Sequence, residues 1–97
     1  MNRRLTFLPE AKADLAHIYD WYEEQKSGHG EAFAFAFDAC VSLMEQMPLI
    51  FPRVHKQFRK ALLRRFPYKI YYVVLEGEIR VVAVVHSSMR NRRPRRL

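Results

Sequence analysis

This chain is poor in the residues on which several common functional designs depend. Cys40 is the single cysteine among 97 residues, which excludes an intrachain disulfide framework and a cysteine-rich metal site. It falls among Phe37, Val41 and Met44 at helical spacing, the setting of a buried, reduced thiol rather than a nucleophile. Glycine occurs only at positions 28, 30 and 77, so no glycine-rich loop can cradle a phosphate. No apolar run reaches the roughly 18 residues of a membrane span, and no secretory signal pattern is present; the expectation is a cytoplasmic protein with no membrane partner. His17, His29, His55 and His86 show no H-x-x-x-H or carboxylate spacing, so neither a metal nor another cofactor is expected. Nothing marks Ser87 or Ser88 as a nucleophile.

Acidic residues are scarce too, but only in one half. Residues 51–97 hold Glu76 and Glu78 against thirteen Lys and Arg, a net of +11. Residues 1–50 hold eight acids against Arg3, Arg4, Lys12 and Lys26, a net of −4. Such a basic half implies an anionic partner: nucleic acid, an acidic protein segment, or both. A chain of this length is one domain and buries roughly 60–70% of its unfolded surface, so it has one core and no room for a deep enclosed active site.

What is abundant is strand-forming sequence in the basic half. Val, Ile, Tyr and Leu fill Tyr68–Leu75 and 79–85, the enrichment that suits a half-buried pleated surface. Between them Glu76-Gly77-Glu78 reads as a three-residue hairpin connection, with Gly77 free to take a positive φ. Earlier, 3–8 reads as a short strand ending at Pro9, which sits well in the first turn of a helix. Ala11, Leu15, Ile18 and Tyr22 mark one face of that helix, and Ser27–Gly30 is a turn. A second helix is expected from Glu31 to Met47 with the stripe Phe33, Phe37, Cys40 or Val41, Met44 and Met47, ended by Pro48. Residues 49–57 read as an irregular connection, 58–64 as the second strand, and Arg65-Phe66-Pro67 as the turn into the third. The order β-α-α-β-β-β is an α+β fold: a helical hairpin packed on a small, mainly antiparallel sheet.

The succession Leu63-Arg64-Arg65-Phe66-Pro67-Tyr68-Lys69-Ile70-Tyr71-Tyr72, then Ile79-Arg80-Val81-Val82-Ala83-Val84-Val85-His86 and Arg90, resembles the RelE/ParE superfamily of small bacterial toxins. The stretch from Leu5-Thr6-Phe7-Leu8-Pro9 to Leu15 is similar to the start of the same family. The likeness covers nearly the whole chain, excluding only the last few residues, and implies the same arrangement of helices and strands; the expectation is a single domain over residues 1–97, with about 91–97 as a basic, flexible tail.

For the RelE kind, the resemblance implies fixed cations on the sheet that orient an RNA backbone and stabilise a phosphate transition state. Lys60 matches a catalytic Lys place in the second strand, Lys69 a transition-state Arg place in the third, and Arg90 the Arg after the fourth. Two departures stand out: Leu62 replaces a second Lys, and no Tyr or His follows Arg90. His86 is then the candidate proton carrier. Arg64-Arg65-Phe66-Pro67-Tyr68, the His86 strand end and the Arg90–Pro94 tail look closer to the ParE branch.

The resemblance therefore implies a type II toxin that inhibits DNA gyrase through protein contact and is neutralised by a cognate antitoxin. The alternative is a ribosome-dependent endonuclease acting on ribosome-bound mRNA; a third reading, from another class, is a non-toxic basic module that binds nucleic acid. The expected target- or antitoxin-binding residues are Arg59, Lys60, Arg64, Lys69, Arg90, Arg92 and Arg93. An acidic or amphipathic antitoxin segment would fold on them, its apolar side chains covering the groove beside the helical hairpin. Read from charge alone, Lys69 can instead snorkel to solvent and Arg90 can simply cap the sheet.

Overall fold

Pro9 opens the first helix, and only Leu8 separates it from the first strand. In the computed structural model, which describes residues 3–88, strand β1 (Arg4–Phe7) passes directly into helix α1 (Pro9–Gln25), with Pro9 in its first turn. Helix α2 (His29–Gln46) follows after a short turn, then β2 (Arg53–His55), β3 (Phe58–Leu62), β4 (Tyr68–Leu75) and β5 (Glu78–His86). The five strands form one sheet in the order β1-β5-β4-β3-β2. All neighbours are antiparallel except β1, which runs parallel to β5. This is the expected α+β hairpin-on-sheet, with one short strand more.

The helices pack through the stripes read from the sequence. Phe33, Phe37, Val41 and Met44 of α2 and Ala11 and Ile18 of α1 are buried against Ile70, Tyr72, Ile79, Val81 and Val84 of the sheet. Burying each large apolar side chain stabilises the fold by about 1.5–3 kcal/mol, so this seam dominates the energetics. Tyr22, Phe33, Phe66 and Tyr68 close one end, with Tyr22 stacked on Phe33 at 5.8 Å and edge-on to Phe66 at 5.1 Å. Cys40 is half-buried at the margin of this core, and burial pushes its thiol up to about 11.

The hairpin between the helices is held from α1. Glu23 accepts the backbone N–H groups of Gly28 and Gly30, both at 3.0 Å, and so caps α2, which has no capping side chain of its own. Gly30 leaves no room for a side chain between the helices: a Cβ there would lie 3.0 Å from the carbonyl oxygen of Tyr19.

Three expectations are corrected. Helix α2 begins two residues early and ends at Gln46, so Met47 lies just past it and is half-exposed; the apolar period runs on one residue beyond the helix that it describes. The β4–β5 connection is two residues, Glu76 and Gly77, with Gly77 at φ 73° and Leu75 paired with Glu78. Finally, 53–55 is a strand rather than loop. Its order comes from pairing with β3 across Lys56 and Gln57, a turn without glycine or asparagine to announce it.

The sheet's second face has its own apolar cluster. Phe58, Tyr71, Val73, Val82 and Ala83 are buried there, with Leu8, Val54, Leu75 and Val85 beside them. Both Val82 and Ala83 lie on this face because β5 holds an extra residue: Tyr71 faces Ala83 while Tyr72 faces Val81. The bulge reverses the alternation of every residue after it.

Candidate functional site

Strands β3 and β4 carry the candidate cations, and their register assigns each one to a face. Lys60 stands opposite Tyr71 on the face away from the helices. Lys69, two residues before Tyr71, shares that face, with its Nζ 5.9 Å from the Tyr71 ring centroid, a cation–π distance. Lys69 is only 6% exposed, so it does not snorkel to solvent. Arg59 pairs with Tyr72 on the helix-facing side. Its guanidinium donates to the carbonyls of Phe51 at 2.7 Å and Leu49 at 3.4 Å, so part of it is engaged within the fold. Burial, the largest effect, pushes the Tyr72 hydroxyl up to about 12 against the pull of the Arg59 cation; that hydroxyl donates to the Pro48 carbonyl at 2.9 Å.

Arg64 and Arg65 are exposed in the turn between β3 and β4. Arg65 has φ 75° and Lys56, in the β2–β3 turn, has φ 51°. A side chain in the left-handed region costs about 1 kcal/mol or more, and glycine or asparagine would relieve it. Two exposed basic residues are thus held at strained turn positions on either side of β3. The sequence carried no sign of this, because neither position holds a residue associated with positive φ.

His86 is placed apart from the lysines. It pairs with Tyr68, and the two rings meet edge-on at 5.1 Å on the helix-facing side. Counting by twos from the core residue Ile79 would have set His86 on the other face, beside Lys60 and Lys69; the bulge at Val82 moves it across. Its Nδ1 accepts the Ser88 backbone N–H at 3.1 Å and lies 2.7 Å from the Ser88 hydroxyl. A backbone N–H can only donate, so the neutral imidazole carries its proton on Nε2. Arg90, Arg92 and Arg93 lie outside the described residues.

Toward the opposite sheet edge, β5 carries an ion pair beside β1. Glu78 accepts from Arg80 at 2.9 Å and from the Thr6 hydroxyl, and these bonds, Arg80 first, hold its carboxyl below the usual range. A cleft of about 390 Å³ opens between the helices beside Phe7, lined by Leu15, Tyr19, Phe33 and Phe37 with Asp38 among them. Among the described residues, no group of three or more His, Cys, Asp or Glu is placed to hold a metal, and no helix is long and apolar enough to cross a membrane.

Comparison with known proteins adds to this geometry. Residues 5–91 match the family model of the ParE toxin of the type II toxin–antitoxin system parDE. Among solved structures, the chain is similar to one from the chromosomal ParDE toxin–antitoxin system of P. aeruginosa, with a TM-score of 0.75 and 22% identity. The match covers 87% of this chain and 95% of that one. None of the curated proteins matches.

Proposed function

This chain belongs to the ParE toxin family of type II toxin–antitoxin systems, and from that premise we propose that it arrests growth by inhibiting DNA gyrase through protein contact, and that a cognate antitoxin neutralises it. The observation that carries the choice of gyrase over RNA cleavage is the separation of His86 from Lys60 and Lys69 by the thickness of the sheet. Attack by a 2′-hydroxyl on its phosphate needs proton carriers within about 2.6–3.2 Å of the reacting oxygens, or one water away. The proton carrier expected from the sequence stands on the wrong face for that work, with one ring nitrogen already engaged by Ser88. Inhibition by contact asks only for a preorganised basic surface, and the strained, exposed Lys56 and Arg65 support one.

A nuclease reading retains one observation in its favour. Lys60 and Lys69 flank the Tyr71 side chain on a single face, a pair of cations beside a phenol. One experiment separates the readings. Purified protein is expected to inhibit gyrase supercoiling of plasmid DNA and to leave ribosome-bound mRNA intact. Codon-positioned cleavage of mRNA in the ribosomal A site, with supercoiling untouched, would reverse the assignment. Binding to nucleic acid with neither activity would favour a non-toxic basic module.

A further inference from the structure

The turn joining α2 to β2 has the composition of a core segment and the position of a loop tip. Ile50 donates its N–H to the Met47 carbonyl at 3.1 Å, making Met47-Pro48-Leu49-Ile50 a tight turn with proline at its second position. Turn tips ordinarily carry Gly, Asn, Asp or Ser. Here Leu49 is 64% exposed, Ile50 50% and Met47 47%. Single exposed apolar residues, such as Phe35 at 76% on the outside of α2, are common and need no explanation. Three within four positions form a patch.

The patch is also rigid. Pro48 lies within it and Pro52 follows it, the Tyr72 hydroxyl holds the Pro48 carbonyl, and the Arg59 guanidinium holds those of Leu49 and Phe51. Apolar side chains on a fixed turn lose little further freedom when a partner covers them, which favours binding over a flexible loop of the same composition.

Charge indicates what covers it. Residues 46–75 contain no Asp or Glu and seven Lys or Arg. Arg59 lies directly against the turn, and Arg53 and Lys56 are exposed in the hairpin that follows it. The cleft between the helices is the competing apolar site, but Asp38 lines it and Glu31 is bonded to the Tyr19 hydroxyl near by. It also sits beside β1, at the sheet edge opposite β2. An acidic segment meets like charge at the cleft and opposite charge at the turn.

We propose that the Met47–Ile50 turn, with Arg53 and Lys56 behind it, is the anchor for the antitoxin's acidic segment, whose apolar side chains cover Leu49 and Ile50 while its carboxylates meet the two cations. The assignment rests on the toxin–antitoxin reading above. It moves the apolar contact away from the groove beside the helical hairpin.

The test is binding kinetics with the antitoxin encoded beside this chain, purified separately. Leu49→Ser/Ile50→Ser, at exposed positions, should weaken binding at least tenfold, mainly through faster dissociation, with an unchanged melting temperature. Phe35→Ser, a more exposed apolar site elsewhere, should stay within twofold of wild type. Arg53→Glu/Lys56→Glu, which leaves the turn intact, should slow association at least fivefold at low salt. Wild-type affinity in the turn variant, or an equal loss in Phe35→Ser, would overturn the anchor while leaving the toxin–antitoxin pairing in place. Association indifferent to the charge reversal would overturn the acidic character of the partner. Wild-type protein that binds no antitoxin would overturn both readings together.

Discussion

Replacing Asp14 by Ala should lower the melting temperature by about 10 °C. Strand β1 covers the outer edge of β5 only as far as Val81, which pairs with Phe7 and accepts the Leu8 N–H. Three residues on, the Val84 N–H finds its acceptor on a helix instead: Asp14 Oδ2 receives it at 3.0 Å. Val84 is buried, so water does not take over when the carboxylate is removed. A hydrogen bond to a charged group contributes about 1.5–3 kcal/mol, and a buried donor left unpaired costs about 1–3 kcal/mol. Taking about 2 kcal/mol, and about 4–8 °C per kcal/mol for a domain of this size, the shift is near 10 °C. Asp14→Asn keeps an oxygen at the same place and should lose about half as much. The assay is thermal unfolding by circular dichroism, together with amide exchange at Val84, which should quicken sharply in the alanine variant. A melting temperature within about 2 °C of wild type would refute the account of how β5 is held beyond the end of β1.

Other expectations follow from single features. Gly30→Ala places a Cβ against the Tyr19 carbonyl oxygen and the Glu23 carboxylate and should destabilise the protein by about 1–3 kcal/mol, measured by urea unfolding, because the helices must separate to admit it. Stability should also fall in mild acid. The Gly28 and Gly30 N–H groups hold the Glu23 carboxyl below its ordinary range, as Arg80 and Thr6 do for Glu78. Between those lowered values and the unfolded value near about 4.3, the folded chain binds fewer protons than the unfolded one, so stability rises with pH there and is lost as pH falls through the folded values. Melting curves from about pH 6 down to pH 3 should show this decline, and Glu23→Gln should flatten it; identical slopes would show that the α1–α2 turn does not depend on the charge.

The central hairpin and the helical stripe were legible because each rule involved is local. Val, Ile and Tyr runs on both sides of Gly77 define β4 and β5 almost to the residue, and the spacing of Phe33, Phe37, Val41 and Met44 defines the buried side of α2. What escaped was non-local. Strand β2 owes its order to β3, and Lys56 adopts a left-handed backbone without being glycine. For the site, alternation correctly puts Lys60, Lys69 and Tyr71 together, since β3 and β4 pair without a break between Arg59 and Leu62. Alternation fails for His86, because one inserted residue at Val82 changes the face of all that follow and nothing in Val81-Val82-Ala83-Val84 announces it. Apolar content marks Met47, Leu49 and Ile50 as core by type; only the hydrogen bonds from Tyr72 and Arg59, far along the chain, show that they are held outward.

The parallel pairing of β1 with β5 bears on when this molecule becomes itself during synthesis. Arg4 has Glu78 as its register partner, so β1 waits for β5, the strand farthest from it along the described residues. Until β4 and β5 emerge, the stripe on α2 has no sheet to lie on, and the acidic helical hairpin stands alone without its basic counterpart. Contacts so distant along the chain form late and slowly. The sheet is therefore complete only once β5 has emerged, because β5 alone joins β1 to the other strands. Strand β1 and the helical hairpin thus wait through the synthesis of β2, β3 and β4 before they close on β5, an interval in which a partner already present can be waiting.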